Sequence, residues 1–215
     1  MVHFAIATII SSSEPSPTFL IGSIAPDAIH VKDKVTRKDK GYTHLISEGR
    51  FPSLEILKEN CLIYLNRKPE DDWKDFVLGY FAHIYTDIRW TETAYMKFES
   101  EYRGNDQDKR KIYNLEVSQV EFELMKSEEW VQDVINKLQQ ASAYTIEPFV
   151  TQFEVSQYRD LKINWLQDHS NEPMINPNYF TVETVKEFIL KTSEEISILF
   201  KDWGIEYLKE GKNIS

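Results

Sequence analysis

Cysteine is almost missing from this chain: Cys61 is the single one in 215 residues, which excludes an internal disulfide framework and a cysteine-rich zinc module. It sits among Ile56, Leu57, Leu62 and Leu65, where a small buried apolar residue is expected. Turn-formers are scarce too, with 7 glycines and 8 prolines, so long helices joined by few loops are expected. Cations are outnumbered, 25 Lys and Arg against 35 Asp and Glu. The resulting net charge of −10 disfavours stable nucleic-acid binding, because a phosphate backbone needs clustered positive charge. It leaves room for a small phosphorylated substrate held by metal ions. No apolar run reaches the roughly 18 residues of a membrane span. Residues 1–10 have the greasy character of a signal-peptide core but no basic flank before them, and the Ser11 to Pro15 stretch is a poor cleavage site. A buried first helix and a cytoplasmic protein are therefore expected.

Aromatics are abundant, with 5 Trp, 11 Tyr and 12 Phe, and the length suits one domain over residues 1–215 with a substantial core. Apolar residues recur at three- and four-residue steps over 2–12, 18–24, 54–65, 73–103, 107–125, 128–140, 153–165 and 182–210, which predicts helices there. A short helix is also expected over 42–48. Residues 31–41, dense in Lys and Asp, read as an exposed charged loop, and 171–178, with Pro173 and Pro177, as a loop. No run shows strand alternation. The expected fold class is all-α, a multi-helix bundle whose polar site is built from residues 1–95, with the C-terminal half mainly helical scaffold.

Four of the five histidines, His3, His30, His44 and His83, lie in the first 83 residues, while His169 reads as a surface residue. His83 and Asp87 stand four apart on a helix face otherwise made of Phe76, Tyr80, Trp90 and Ala94, so both point the same way. An ionisable pair on a greasy stripe is costly unless something compensates it, and a metal ion is one such compensation. His3, Asp27, His44, His83 and Asp87 together offer three imidazoles and two carboxylates from four segments, the donors that divalent transition metals prefer. Singly, each has a plain structural explanation: a terminal histidine, a turn cap, a core histidine, a helical ion pair.

The segments 19–30 (Phe-Leu-Ile-Gly-Ser-Ile-Ala-Pro-Asp-Ala-Ile-His), 42–45 (Tyr-Thr-His-Leu) and 76–90, with His83-Ile-Tyr-Thr-Asp87, resemble the zinc-dependent phospholipase C family. That family shares an all-α metallo-phosphoesterase fold with the S1/P1-type nucleases. The resemblance covers residues 1–95 and implies zinc, one or two ions, held by His3, Asp27, His44, His83 and Asp87, with Asp87 bridging. It implies Asp27 as ligand and catalytic water activator. His30 is close enough to Asp27 in sequence to hold it or to substitute for it. The family's third metal needs histidines soon after the His-x-x-x-Asp pair, and none occurs here before His169. Glu116, Glu121 or Asn114 stand as candidates for an oxygen ligand from the next helix.

The implied function is hydrolysis of a phosphoester, either a small phosphorylated substrate or a phospholipid headgroup. Arg89 or a lysine of the 31–41 segment is a candidate to neutralise the phosphate. Three readings compete: a metal-stabilised helical binding or structural protein without turnover, an HD-type phosphohydrolase, and a metal-free interaction module. The second requires a contiguous His-Asp pair within its cluster, which the chain lacks.

Overall fold

The structure, a computed structural model, describes residues 1–205. Among them the fold is all-α, with two isolated bridges, Ser47 to Arg50 and Ile146 to Val150, as its extended pairings. The helices are α1 (Val2–Ile10), α2 (Pro17–Gly22), α3 (Arg37–Thr43), α4 (Leu54–Leu65), α5 (Asp71–Trp90), α6 (Met96–Glu101), α7 (Asp106–Ser127), α8 (Val131–Gln140), α9 (Gln152–Gln167) and α10 (Val182–Asp202). A 3₁₀ turn, Ala25–Val31, follows α2, and a π turn, Thr91–Tyr95, joins α5 to α6. No helix among the described residues is long and apolar enough to cross a membrane.

Helix α5 is the central strut. Its first turn carries Asp71 and Asp72, where the helix dipole favours acids, and Phe76, Val77, Tyr80, Phe81 and Ile84 are almost fully buried. Helix α2 crosses α5 with the two backbones in contact, because glycine occupies both sides of the crossing. A Cβ on Gly79 would lie 2.3 Å from the Phe19 carbonyl oxygen, and one on Gly22 would lie 2.3 Å from that of Phe76. Helix α2 is started by Pro17 at its first position and by the Ser16 hydroxyl, which accepts the Phe19 amide at 3.0 Å. Helices α1 and α10 pack together beside α5, and α9 lies over the 3₁₀ turn.

Four expectations need correction. Residues 31–41 are not all loop: Thr36 and Asp39 form a reciprocal capping box that starts α3 at Arg37. The helix expected over 42–48 instead ends at Thr43, and positive φ at Leu45 (58°) and Glu48 (51°) turns the chain back. The helix expected over 73–103 is interrupted by the π turn at Thr91–Tyr95, where the period on which the expectation rested changes. The final helix ends at Asp202, followed by Gly204 at φ 75°; Tyr207 and Glu210, assigned to it by periodicity, lie outside the described residues.

Candidate metal centre

Each side chain of the cluster is held by the element that carries it. The Gly22–Gly79 contact brings the C-cap of α2 against α5, so that the His83 Nδ1–H donates to the Ser23 carbonyl at 2.8 Å. At the end of α3 the His44 Nδ1–H donates to the Lys40 carbonyl at 2.9 Å, and the Tyr80 hydroxyl donates to the Thr43 carbonyl at 2.6 Å, tying α3 to α5. Asp27 projects from the first turn of the 3₁₀ segment, and Asp87 from α5 one turn beyond His83. His3, on α1, stacks on His83 with ring centroids 3.9 Å apart and planes 10° from parallel.

A carbonyl can only accept, so both Nδ1 atoms carry protons, and in the neutral form of each ring Nε2 is then a bare lone pair. These two Nε2 atoms face each other at 3.2 Å. Around them lie Asp87 Oδ2, 3.3 Å from His44 Nε2 and 3.7 Å from His83 Nε2, and Asp27, 3.6 Å and 3.9 Å from the same two atoms. Lone pairs and carboxylate oxygens converging on one point repel unless a proton or a metal cation sits among them. With bonds of about 2.0–2.1 Å, the edge of a tetrahedral zinc shell is about 3.3–3.4 Å; the two nitrogens and Asp87 Oδ2 lie near that spacing, at 3.2–3.7 Å, and Asp27 stands wider, at 3.6 and 3.9 Å. The residues present therefore fit a divalent ion held by Asp27, His44, His83 and Asp87.

A second donor pair adjoins the first. Asp87 Oδ1 lies 3.5 Å from His3 Nε2, so Asp87 offers one oxygen to each side. His3, His83 and Asp87 also group within 4.8 Å, as do Asp27, His44 and His83. With its Nδ1 committed to Ser23, His83 has one nitrogen to give, and we assign it to the ion it would share with His44, whose Nε2 is 3.2 Å away, and with the carboxylates of Asp27 and Asp87. The second position thus has two protein donors and is open. His3 Nδ1 is buried without a hydrogen-bond partner among the described residues.

Protonation suits the same chemistry. Burial, and then the neighbouring His83, hold His3 neutral, with its pKa lowered to about 3, and burial lowers that of His83. Burial opposes ionisation of Asp27 and Asp87, yet both carboxyls lie below their usual range: the Lys40 ammonium holds Asp27 down, and for Asp87 the positive charge comes from a proton on His83 or His44, the place a metal cation would take. Lys40 Nζ is 3.1 Å from Asp27 Oδ1. His30 stands at the rim, half exposed, with Nε2 3.8 Å from the same oxygen.

The cluster opens into a cavity of about 460 Å³. His3, Asp27, Asp87 and Lys40 line it together with Tyr113, Val117, Val120 and Glu121 of α7, Tyr158 and Lys162 of α9, and Phe180. Residues of α7 and α9 thus contribute to its lining.

Several candidates do not join the donors. Glu116 is buried and accepts the backbone amides of Asn178, Tyr179 and Phe180 at 2.8–3.2 Å, which fully occupies it. Glu121 reaches the cavity but is held by Lys162, at 2.8 and 3.0 Å, and by the Met1 ammonium. Asn114 is exposed. Arg89 pairs with Glu195 and Glu92, each at 2.8 Å, beside a separate cavity bordered by α10, and so is not aimed at the cluster. His169 is exposed, as expected. Cys61 is fully buried, and burial pushes its thiol pKa up. Comparison of the chain with protein-family models, with curated proteins and with solved structures finds no match.

Proposed function

We propose that the chain is a metal-dependent phosphoesterase of the phospholipase C and P1 nuclease type, using zinc at a site of one complete and one open donor set. The observation that carries this reading is the convergence of two imidazole nitrogens and two carboxylates near coordination-shell spacing, beside a cavity. The cavity is large enough for a small ligand. A site serving only to brace the fold closes its coordination sphere, whereas the His3 and Asp87 side faces open space.

When bound, a divalent cation supplies Lewis-acid polarisation of a phosphoryl oxygen and acidifies a water. The chain's own residues do the rest. Ser23 and Lys40 fix the imidazole tautomers, keeping both Nε2 lone pairs turned inward. Asp87 divides its oxygens between the two positions. Asp27 orients the attacking water. A carboxylate held this low by Lys40 is a weak base, so Asp27 passes the proton on rather than storing it. His30 Nε2, 3.8 Å away and half exposed, carries that proton to solvent. Phe51, Trp90, Tyr113 and Phe180 offer an apolar wall to the organic part of the substrate.

The test is turnover of p-nitrophenyl phosphate and bis-p-nitrophenyl phosphate by zinc-loaded protein, with Asp87→Ala as the control. Metal-dependent release of nitrophenol that Asp87→Ala abolishes is expected. A loaded protein inert across a broad phosphoester panel would instead be a metal-stabilised binding protein.

A further inference from the structure

Once filled by a dication, the four-donor set is electrically neutral, because Asp27 and Asp87 cancel its charge. An arriving anion must then be drawn by something else. Two lysines line the cavity. Lys162 is held by both oxygens of Glu121. Among the described residues the Lys40 ammonium pairs with Asp27 Oδ1 alone, at 3.1 Å, and its side chain is 41% exposed, which leaves N–H groups to turn toward a ligand. Its position is also fixed relative to the metal donors: the same residue's carbonyl orients His44. One turn of α3 thus delivers an imidazole to the ion and an ammonium to the space beside it.

We propose that Lys40 is the substrate-anion residue of this site, holding a non-bridging oxygen of a terminal phosphate group and favouring phosphomonoesters over phosphodiesters. The preference follows from charge, since a monoester dianion gains more from a fixed ammonium than a diester monoanion does. This rests on the metal-dependent phosphoesterase reading above.

The test uses zinc-loaded protein, Lys40→Met and Lys40→Arg, and a matched pair of probes: phenylphosphonate, and its monomethyl ester with one charge fewer. Binding is read by calorimetry, and zinc affinity by competition with a chelator. Lys40→Met should weaken phenylphosphonate about 10- to 100-fold, the worth of one charge-assisted hydrogen bond. The loss for the monomethyl ester should be smaller, and Lys40→Arg should restore much of the difference. Zinc affinity should stay or rise, because a cation beside Asp27 has gone while the backbone carbonyl that orients His44 remains. Unchanged phenylphosphonate binding, or equal losses for the two probes, overturns the proposal. Parallel loss of zinc and both probes would mark Lys40 as merely structural, and overturns it as well. Wild-type protein that takes up no zinc removes the phosphoesterase reading itself, an outcome distinct from the others.

Discussion

Replacing Gly79 by alanine tests how the fold aims the metal centre. The added Cβ would meet the Phe19 carbonyl oxygen at 2.3 Å and the Ser23 amide nitrogen at 2.8 Å, both backbone atoms that no rotamer change can move aside. The first contact is about 1 Å short of ordinary van der Waals separation, so α2 and α5 must part by a comparable amount. Overpacking of this kind costs about 1–3 kcal/mol. The same shift would stretch the His83 Nδ1 to Ser23 hydrogen bond from 2.8 Å beyond useful range, freeing the ring that presents Nε2. Loss of such an orienting partner lowers metal affinity about 10- to 100-fold. Gly41→Ala is the control. Its Cβ would meet the side chain of Ile46, in the turn after α3, at 3.4 Å, the near limit of ordinary contact, and the change should be neutral or stabilising by up to about 1 kcal/mol. Denaturant midpoints and chelator-competition zinc titrations on both variants are the assay. If Gly79→Ala matches wild type in both, the glycine crossing does not position His83 and the reasoning fails.

Two further outcomes follow from the same geometry. His3→Ala should keep one tightly bound zinc and lose any second, because Asp27, His44, His83 and Asp87 form the complete set without it; loss of all metal would contradict that division. Metal-free protein should lose stability on acidification. His3 has a folded pKa of about 3 against an ordinary 6.5, so the unfolded chain protonates first, and the stability present above pH 6.5 is lost as pH falls toward 3. Glu121, where burial is outweighed by Lys162 and the Met1 ammonium, titrates at about 2 rather than 4.5, and its contribution is lost below pH 4.5. Both effects have one sign: thermal melts that are flat between pH 7 and pH 4 would rule out the His3 effect, and melts flat between pH 4.5 and pH 2 the Glu121 effect.

The long helices were legible because apolar residues repeat at helical spacing along α4, α5, α7 and α10. His83 and Asp87 were legible as a pair for the same reason, being one turn apart on a buried face. Spacing alone could not bring His3, Asp27 and His44 to them, since those residues come from other segments; the family resemblance supplied their places, and the structure brings all five together. Helix α3 was hidden by its charges and by Gly41, although Thr36-Arg-Lys-Asp39 carries a capping-box signal that could have marked its start. Lys40 was therefore expected only as one of several loop cations. Glu116 and Glu121 looked available because their partners, the amides of 178–180 and Lys162, are distant in sequence. The α7 and α9 residues lining the cavity were invisible for the same reason.

The central claim is that Asp27, His44, His83 and Asp87 hold a metal ion. Its most direct test is the metal content of wild type and Asp87→Ala after purification without chelator and incubation with zinc, measured by elemental analysis. One to two equivalents of zinc in wild type, with a sharp loss in Asp87→Ala, is the result expected. Wild-type protein that is metal-free after that incubation contradicts the claim.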